Sequence, residues 1–530
     1  MNTMPRALWV RLLALVGAAL LLRLAVLHGV LLDPAVGLQV DEAQYWGWSR
    51  DLRWGYYSKP PVIAALIAAS TALFGDAVMG VKALSMALHG ATALALASLA
   101  HAMAGARPAR AARAAWWAAL IALSNPVASL LGLAATTDAP LLLCWTLAAA
   151  ALWRLRQGDR LRDWAWLGLW LGLGLLSKYT MAVLLVAVVG VVGTRAVVAR
   201  HPLGGPALML TVMALLLAPH LAWNAAWGWP TWQHTADITL QAHRGAEGSG
   251  WTRLGEWLAG QWLLFGPLWA LLVLRRRMAA RAWPATWAVP TLTPAQRFLL
   301  WLALPLLLIG ALQAVRAGAQ INWTAPAGQA LTLALALWLS APRRQNARRV
   351  AAAVVALHLL VLTTLPLAGT LARAIGGPQA LPPRALDLWA RMRGWDTAFD
   401  RLTPAVQARL AAVPDAVLLG TSRTVVAHGQ YAWRDQGWRW HAWRPDPTTR
   451  PTDHYQLTAG WPGHARGDGR TRPLLIVGMG DTLPADWAAW LDAPVRLAEA
   501  RTPQASGRTL HLVLWHTRLR ATPPSHGTAP

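Results

Sequence analysis

Residues 40–61 have the sequence VDEAQYWGWSRDLRWGYYSKPP, a polar and aromatic stretch in an otherwise apolar chain. Apolar runs lie on both sides of it, and several further runs of the chain approach 20 residues in length. About 20 apolar residues are needed to cross the hydrocarbon core of a bilayer as a helix. Residues 40–61 are therefore predicted to form a loop between membrane helices, on one side of a membrane.

The composition agrees with a membrane protein. Of the 530 residues, 56% are hydrophobic and 13% are charged, whereas a soluble protein carries about 25% charged residues. The net charge of +25 does not require a nucleic-acid partner, because many arginines lie in short clusters between apolar runs, where cytoplasmic loops concentrate them. The single cysteine, Cys144, allows neither an internal disulfide nor a cysteine metal site.

About eleven membrane helices are predicted, which gives a polytopic α-helical membrane protein. The predicted spans are 8–30, 80–104, 114–134, 139–156, 164–177, 180–198, 203–222, 256–274, 297–316, 325–341 and 349–371. With this odd count every arginine cluster falls on one side, which is cytoplasmic and includes the N-terminus. Residues 61–75 are apolar but short, and they are expected to form a re-entrant or interfacial helix.

The composition changes after residue 371, so two domains are predicted. Residues 1–371 form a transmembrane catalytic domain, whose first outer loop covers about 31–79, and residues 521–530 form a flexible tail. Residues 372–520 form a C-terminal extracytoplasmic α/β domain, in which three short apolar runs are expected to be buried strands. These runs are Val417–Gly420, Leu474–Val477 and Leu510–Trp515.

The carboxylates of the membrane region are distributed unevenly. Of the eleven before residue 371, only Asp159 and Asp163 fall in a predicted cytoplasmic loop. Acids near apolar spans are costly, so a group of them at one face suggests a functional site. The alternative is that outer loops tolerate acids, because membrane orientation is governed by Lys and Arg.

The outer loop 40–61 contains residue types that a transferase with a phosphate-linked donor needs. A carboxylate, Asp41 or Glu42, can accept the proton of an attacking hydroxyl group. The ammonium group of Lys59 can stabilise a departing phosphate. Flat aromatic side chains suit the face of a sugar ring, and the loop supplies Tyr45, Trp46 and Tyr57.

The chain has only three lysines, Lys59, Lys82 and Lys178, against 45 arginines. Retained lysines suggest places where a compact ammonium group is wanted, although chance retention at tolerant positions explains them equally simply. Lys178 lies in the outer turn between the fifth and sixth predicted spans. Arg244, in a later outer loop, is a candidate phosphate ligand or a solvated surface arginine.

Asp138 is predicted at the outer end of the fourth span, in the sequence Ala135-Thr136-Thr137-Asp138-Ala139-Pro140. An acid at this position either caps the helix or belongs to a site. Asn322 and Trp323 lie in another outer segment, Ile321-Asn322-Trp323-Thr324-Ala325-Pro326, and are candidate substrate-binding residues.

Taken together, these motifs resemble the bacterial relatives of the protein O-mannosyltransferases, a group that includes the lipid A aminoarabinose transferases. The resemblance runs in order from about residue 35 to 330. It implies a GT-C fold and a polyprenyl-phosphate sugar donor. It also implies that Asp41 is the base or acceptor-orienting acid, that Lys59 contacts the donor phosphate, and that Asp138 is the second acid of the site.

The chain is therefore predicted to be a glycosyltransferase of the bacterial inner membrane. It would move a sugar from undecaprenyl phosphate to an envelope lipid, glycan or protein on the periplasmic side, by an inverting single displacement. No cofactor is expected, and metal-independent transfer is favoured because no Asp-any-Asp motif is present, although Asp41, Glu42 and Asp138 could gather a divalent ion. The alternatives are a transporter or flippase, and a non-catalytic envelope assembly or sensor protein.

Overall fold

The computed structural model describes residues 4–193, 203–240, 248–265, 292–444, 448–461, 472–488 and 490–520. The chain divides into two compact units, each formed by several segments. We name the first the helical unit; it consists of Met1–Ala25, Arg53–Gly55 and Lys59–Thr364. We name the second the mixed unit; it consists of Val26–Leu52, Tyr56–Ser58 and Leu365–Pro530.

The described part of the helical unit is built from α-helices and two 3₁₀ turns. Its helices are α1 (Arg6–Leu31, whose end lies in the mixed unit), α3 (Val62–Phe74), α4 (Val78–Met103), α5 (Pro108–Ser124), α6 (Pro126–Leu131), α7 (Asp138–Leu155), α8 (Leu161–Leu175), α9 (Leu184–Val192), α10 (Gly204–Ala226), α11 (Pro230–Leu240), α12 (Gly250–Phe265), α13 (Pro294–Ala317), α14 (Ala325–Ser340) and α15 (Gln345–Thr364). The 3₁₀ turns are Tyr179–Val183 and Ile321–Thr324.

Six helices in the described ranges are long and apolar enough to cross a membrane. They are α1, α4, α7, α10, α13 and α15. Each of the other predicted spans also contains helix, but these helices are shorter, such as α8 with 15 residues and α14 with 16. The helix over residues 62–74, which was expected to be too short to span, has 13 residues. The chain is a polytopic membrane protein.

The predicted span 114–134 differs from the structure, because the helix is interrupted between α5 and α6. Pro126 has no backbone N–H to donate, and its ring excludes the preceding residue from regular helix. Asn125 then caps α6, its side chain accepting a hydrogen bond from the backbone N–H of Ala128 at 3.0 Å. As a result, a new helix, α6, begins at Pro126.

Close packing in the helical unit depends on small residues. A Cβ atom on Gly168 of α8 would lie 2.5 Å from the backbone oxygen of Met209 in α10. A Cβ atom on Gly205 of α10 would lie 2.3 Å from the indole of Trp164 in α8. These two glycines allow α8 and α10 to approach closely, which is how helices associate when the surrounding lipid is as apolar as the side chains.

The described part of the mixed unit combines helices with one six-stranded sheet. Its helices are α2 (Val40–Ser49), α16 (Ala368–Gly376), α17 (Trp395–Ala412), α18 (Arg423–Ala432), α19 (His454–Ala459) and α20 (Ala485–Ala488), with 3₁₀ turns at Arg384–Leu386 and Ala390–Met392. Its strands are β1 (Val417–Gly420), β2 (Trp440–Trp443), β3 (Gly460–Trp461), β4 (Pro473–Met479), β5 (Val495–Ala505) and β6 (Arg508–Arg518).

The strand order is β3-β2-β1-β4-β6-β5. Strands β3, β2, β1 and β4 are parallel, whereas β6 is antiparallel to β4 and forms a hairpin with β5. The three apolar runs expected to be strands lie in β1, β4 and β6. Strands β1 and β4 are almost entirely buried, as is usual for parallel strands that are covered on both faces.

The division into units does not follow a single cut at residue 371. The helical unit ends at Thr364, and residues 26–52 and 56–58 pack with the C-terminal part of the chain. Residues 26–30 belong to the first predicted span, and the others belong to the predicted first outer loop. Helix α2 lies against α18 there. The predicted tail, 521–530, is outside the described residues.

Candidate active site

Asp138 is the centre of a buried polar cluster in the helical unit. It is the first residue of α7, and its Oδ1 atom accepts a hydrogen bond from Lys178 Nζ at 2.7 Å. Its Oδ2 atom accepts one from Asn322 Nδ2 at 3.0 Å. The side chains of Lys178 and Asp138 are 14% and 3% exposed. The side chain of Asp138 is thus engaged by Lys178 and Asn322, and its catalytic role stays a prediction.

The segment that carries Lys178 is held by hydrogen bonds around it. Lys178 donates its backbone N–H to Gly174 at the end of α8, and the next residue, Tyr179, places its hydroxyl 2.6 Å from His220 Nε2. His220 Nδ1 lies 2.6 Å from the carbonyl oxygen of Trp54. Because a carbonyl only accepts, Nδ1 must carry the proton, so Nε2 accepts from Tyr179.

Asn224 belongs to the same arrangement and donates to the carbonyl of His220 at 3.0 Å. A Cβ atom on Gly55 would lie 2.3 Å from the ring of Trp223, so a larger residue could not approach α10 at this position. The Trp223-Asn224 segment thus helps to fix the turn that presents Lys178.

Lys59 lies half-buried in a bend that precedes Pro60, Pro61 and helix α3. The backbone N–H of Val62 donates to the carbonyl of Leu176 at 3.2 Å. Leu176 is two residues before Lys178 and Val62 is three residues after Lys59. This hydrogen bond places the two lysine-bearing segments side by side in the helical unit.

Two further predicted residues give less information. Arg244 lies outside the described residues. Trp323 is half-buried in the 3₁₀ turn Ile321–Thr324, next to Asn322.

Asp41 is placed in the mixed unit, in the first turn of α2. Gln39 caps this helix by accepting a hydrogen bond from the Asp41 backbone N–H at 2.6 Å. Glu42 Oε2 accepts one from the backbone N–H of Gln39 at 2.9 Å, which completes a capping box. The structure therefore gives Glu42 a structural contact, and its catalytic role stays a prediction.

The Asp41 carboxylate has an ionic partner that the sequence did not reveal, Arg423. Its Nη1 atom donates to Asp41 Oδ1 at 2.8 Å and to Gln44 Oε1 at 2.6 Å. Burial lowers the pKa of Arg423, but Asp41, with smaller contributions from Tyr45 and Tyr455, raises it above its ordinary value. Arg423 is thus firmly cationic, and it keeps a positive charge against Asp41.

The local sequence explains how Arg423 is presented. It is the first residue of α18, directly after β1 and a short turn, and Ser422 caps the helix by accepting a hydrogen bond from the Val425 backbone N–H. The ends of β1 and β4 meet where the chain order of the sheet reverses, which is a common place for ligand sites. The sequence feature that could have indicated this site is the predicted strand Val417–Gly420, which is followed by Ser422, a residue type that caps helices.

The predicted sugar-stacking residues lie in the core of the mixed unit. Tyr45, Trp46 and Tyr57 are all less than 10% exposed. Trp46 makes an edge contact with Tyr431 at 5.2 Å, and Tyr45 packs against Trp48 at 5.1 Å. These contacts engage the rings within the protein, and their role in sugar binding stays a prediction.

Among the described residues, Asp481, Glu499 and His511 of the mixed unit have ligand atoms within 4.8 Å of one another, close enough to share a metal ion. Arg496 already donates to Asp481 at 2.7 Å and to Glu499 at 3.1 Å. Its hydrogen bond lowers the pKa of the Asp481 carboxyl. This group is therefore satisfied as an exposed ionic network, and none of its members is a predicted site residue.

Comparison with known proteins places this geometry in context. The family model of the dolichyl-phosphate-mannose-protein mannosyltransferases matches residues 58–223, a stretch that contains Lys59, Asp138 and Lys178. Lipid A galacturonosyltransferase RgtD of Rhizobium johnstonii is 33% identical over 309 residues, which cover 57% of this chain. The chain spans about 60% of the length of that relative.

Two crystal structures of ArnT from Cupriavidus metallidurans are similar along almost the whole chain. The apo structure has a TM-score of 0.58 at 15% identity, covering 95% of this chain and 98% of ArnT. The structure bound to undecaprenyl phosphate has a TM-score of 0.61 at 16% identity, covering 96% and 98%. This chain has the ArnT fold. The ArnT fold is of the GT-C type, so the resemblance predicted from the motifs is confirmed.

Proposed function

We propose that this ArnT-fold protein transfers a sugar from undecaprenyl phosphate, or a similar polyprenyl phosphate, to lipid A at the periplasmic face of the inner membrane. The buried Asp138–Lys178–Asn322 cluster carries the proposal. A cation fixed by a carboxylate at the end of an apolar helix is costly, and such groups usually serve a substrate. The similarity to RgtD, a lipid A galacturonosyltransferase, supports lipid A as the acceptor.

Lys178 is suited to bind the donor phosphate while it remains paired with Asp138. An ammonium group has three N–H donors, and Asp138 takes one of them. The remaining donors can reach phosphate oxygens and stabilise the charge that develops as the carrier leaves. Lys59 is proposed as the main phosphate ligand, with Lys178 and Arg244 as additional ligands.

Asp41 is the proposed base. It takes the proton of the acceptor hydroxyl, whose oxygen attacks the anomeric carbon from the face opposite the phosphate. The bond between the anomeric carbon and the phosphate oxygen breaks, its electron pair leaves with polyprenyl phosphate, and the configuration inverts. Arg423 orients the Asp41 carboxylate by donating a hydrogen bond to its Oδ1 atom. Asp138 is the second acid, and Tyr45, Trp46, Tyr57, Asn322 and Trp323 are proposed substrate contacts.

We also propose a membrane topology for the chain. It has eleven spans, a cytoplasmic N-terminus and a periplasmic domain over residues 372–520. No cofactor or metal is assigned to the reaction.

The test uses purified protein in lipid nanodiscs with a panel of polyprenyl-phosphate sugars and a lipid A acceptor. Wild-type protein is expected to consume at least one donor, with or without EDTA. Asp41→Asn should abolish turnover while retaining abundance and donor binding, because it keeps the shape of the side chain but not its basicity. Near-normal turnover in Asp41→Asn would remove the role of Asp41.

The same test separates the alternatives. A transporter or flippase would move the lipid between leaflets without changing its mass. A non-catalytic assembly or sensor protein would leave every donor intact, and the biological function of Asp41→Asn would match that of wild type.

A further inference from the structure

A group of arginines lies at one end of the helical unit, where α14 ends and where α5 and α15 begin, and none of the roles above uses it. We name it the arginine cluster; it consists of Arg107, Arg110, Arg113, Arg343, Arg344, Arg348 and Arg349. The sequence has no Asp or Glu between Asp76 and Asp138, nor between Glu256 and Asp387. None of the ion pairs among the described residues includes one of these arginines.

Two members of the arginine cluster hold the helices together. Arg113 of α5 donates from Nε to the carbonyl of Ser340 at 3.2 Å. Arg348 of α15 donates from Nη1 to the carbonyls of Leu339 and Ala341, both at 3.2 Å. The last carbonyls of a helix lack partners within it, and cations are favoured beside them. Arg113 and Arg348 therefore have a structural role, which joins α5 and α15 to the end of α14.

Arg110 and Arg344 have no such role. Arg110 lies one turn before Arg113 on α5, and Arg344 lies directly before α15, 5.5 Å from the centre of the Trp338 ring. Both side chains are half-buried, and their Nε atoms are buried without a hydrogen-bond partner among the described residues. A partly buried cation that lacks both an acid and a hydrogen-bond acceptor is costly, so a ligand that supplies them is favoured.

Membrane orientation alone does not explain these two arginines. Orientation depends on Lys and Arg in the short loops near the ends of spans. The exposed residues Arg107, Arg343 and Arg349 satisfy that requirement. It does not call for arginines that are packed against helices and partly removed from water.

We infer that the arginine cluster binds the headgroup of an anionic phospholipid of the surrounding membrane, with Arg110 and Arg344 as its ligands. Phosphate oxygens match the planar set of N–H donors of a guanidinium group. The cluster lies at the ends of apolar helices, and α15 is long enough to cross a membrane. A lipid that is anchored in the bilayer by its acyl chains therefore reaches the cluster at high local concentration. This inference goes beyond the proposed sugar transfer and does not depend on it.

The experiment measures lipid binding directly, by native mass spectrometry of the purified full-length protein in detergent. Phosphatidylglycerol and phosphatidylcholine with the same acyl chains are titrated separately. Wild-type protein is expected to bind phosphatidylglycerol at least about 10-fold more tightly, the effect of one charge-assisted hydrogen bond, because phosphatidylcholine carries its own cation. Glycerol 3-phosphate, which has the phosphate but no acyl chains, should not bind in the same concentration range.

Arg110→Gln/Arg344→Gln should weaken phosphatidylglycerol binding by roughly 25-fold, about 5-fold for each cation near an anionic lipid. Arg110→Lys/Arg344→Lys keeps the charge and should retain most of the affinity. Arg160→Gln/Arg162→Gln is the matched control, because it removes two exposed arginines from the connection between α7 and α8. Thermal unfolding without added lipid reports folding of each variant. The single variants, each expected to lose about 5-fold, provide the same test if the double glutamine variant does not fold.

Three results would overturn the inference. Equal affinities of the wild-type protein for phosphatidylglycerol and phosphatidylcholine would show that the headgroup charge is not recognised. Equal losses in the two double glutamine variants would assign the binding to general surface charge. Glycerol 3-phosphate that binds as tightly as phosphatidylglycerol would indicate a site for a soluble anion. Since no sugar donor is present, each of these results would leave the proposed function standing.

Discussion

Lys178 and the buried Asp138 form an ion pair, so removal of one charge should reduce stability as well as activity. In Lys178→Met the carboxylate of Asp138 keeps Asn322 as its one side-chain hydrogen-bond partner among the described residues, and a buried charge that has lost its ionic partner costs roughly 3 kcal/mol. The double variant Lys178→Met/Asp138→Asn should recover most of that stability and none of the turnover. Thermal unfolding in one detergent and donor consumption measure the two quantities. Equal unfolding temperatures for the single and double variants would show that the pair does not matter.

Arg423 extends the set of residues that govern Asp41. Arg423→Met should lower kcat by at least about 10-fold, since Asp41 loses a charge-assisted hydrogen bond. Arg423→Lys should be milder, because it retains the charge. Arg496→Met, in the exposed network with Asp481 and Glu499, is the control and should have wild-type kcat. The assignment fails if Arg423→Met and Arg496→Met behave alike.

At the scale of elements, the packing of α17 against α18 makes the mixed unit sensitive to acid. His428 of α18 stacks on Trp395 of α17 at 4.0 Å. Burial, followed by the charge of Arg423, lowers the pKa of His428 to about 3. The unfolded chain, in which the histidine pKa is about 6.5, binds a proton more readily than the folded chain between these values. Stability therefore falls as the pH drops from 6.5 toward 3, by up to 1.4 kcal/mol per pH unit.

His428→Phe should flatten this dependence, because it keeps a ring against Trp395 and removes the titrating group. Tryptophan fluorescence during denaturant unfolding at pH 7.5 and pH 5.5 measures the difference. His441 and His516 also have lowered pKa values and remain in the variant, so the comparison is with wild type at each pH. Identical slopes for the two proteins would contradict the role of His428.

The sequence predicts most helices well, because each apolar run indicates a membrane span without information from distant parts of the chain. It also predicts the strands Val417–Gly420 and Leu474–Val477, which are short apolar runs. The interruption at Asn125–Pro126 was missed, since both neighbouring segments are equally apolar. The pairing of Arg423 with Asp41 was missed for a different reason. These residues are 382 positions apart, and neither hydrophobic period nor motif spacing carries information over such a distance.

At the scale of the whole molecule, orientation can be tested with single introduced cysteines. Cys144 is buried, so the native background of labelling should be small. Ala412→Cys, an exposed position in the mixed unit, should react with a membrane-impermeant maleimide in cells whose outer membrane alone is permeable. Gln157→Cys, exposed between α7 and α8, should react only after the inner membrane is broken. The reverse pattern would place the N-terminus outside the cytoplasm.

The partition of the chain between units was only partly predictable. The change of composition near residue 371 lies seven residues after Thr364, where the helical unit ends. The inclusion of residues 26–52 in the mixed unit was not predictable, because it depends on contacts such as those of α2 with α18. Candidate residues in the helical unit, Asp138, Lys178 and Asn322, were all singled out by sequence.

The central claim is that this chain transfers a sugar from a polyprenyl-phosphate carrier to a lipid. The most direct test is mass spectrometry of both products from nanodiscs that contain wild-type protein, a panel of polyprenyl-phosphate sugars and lipid A. We expect equal amounts of free polyprenyl phosphate and of lipid A bearing one added sugar, with neither product in the Asp41→Asn control. Release of polyprenyl phosphate with free sugar, or an unchanged donor and lipid A, would contradict it.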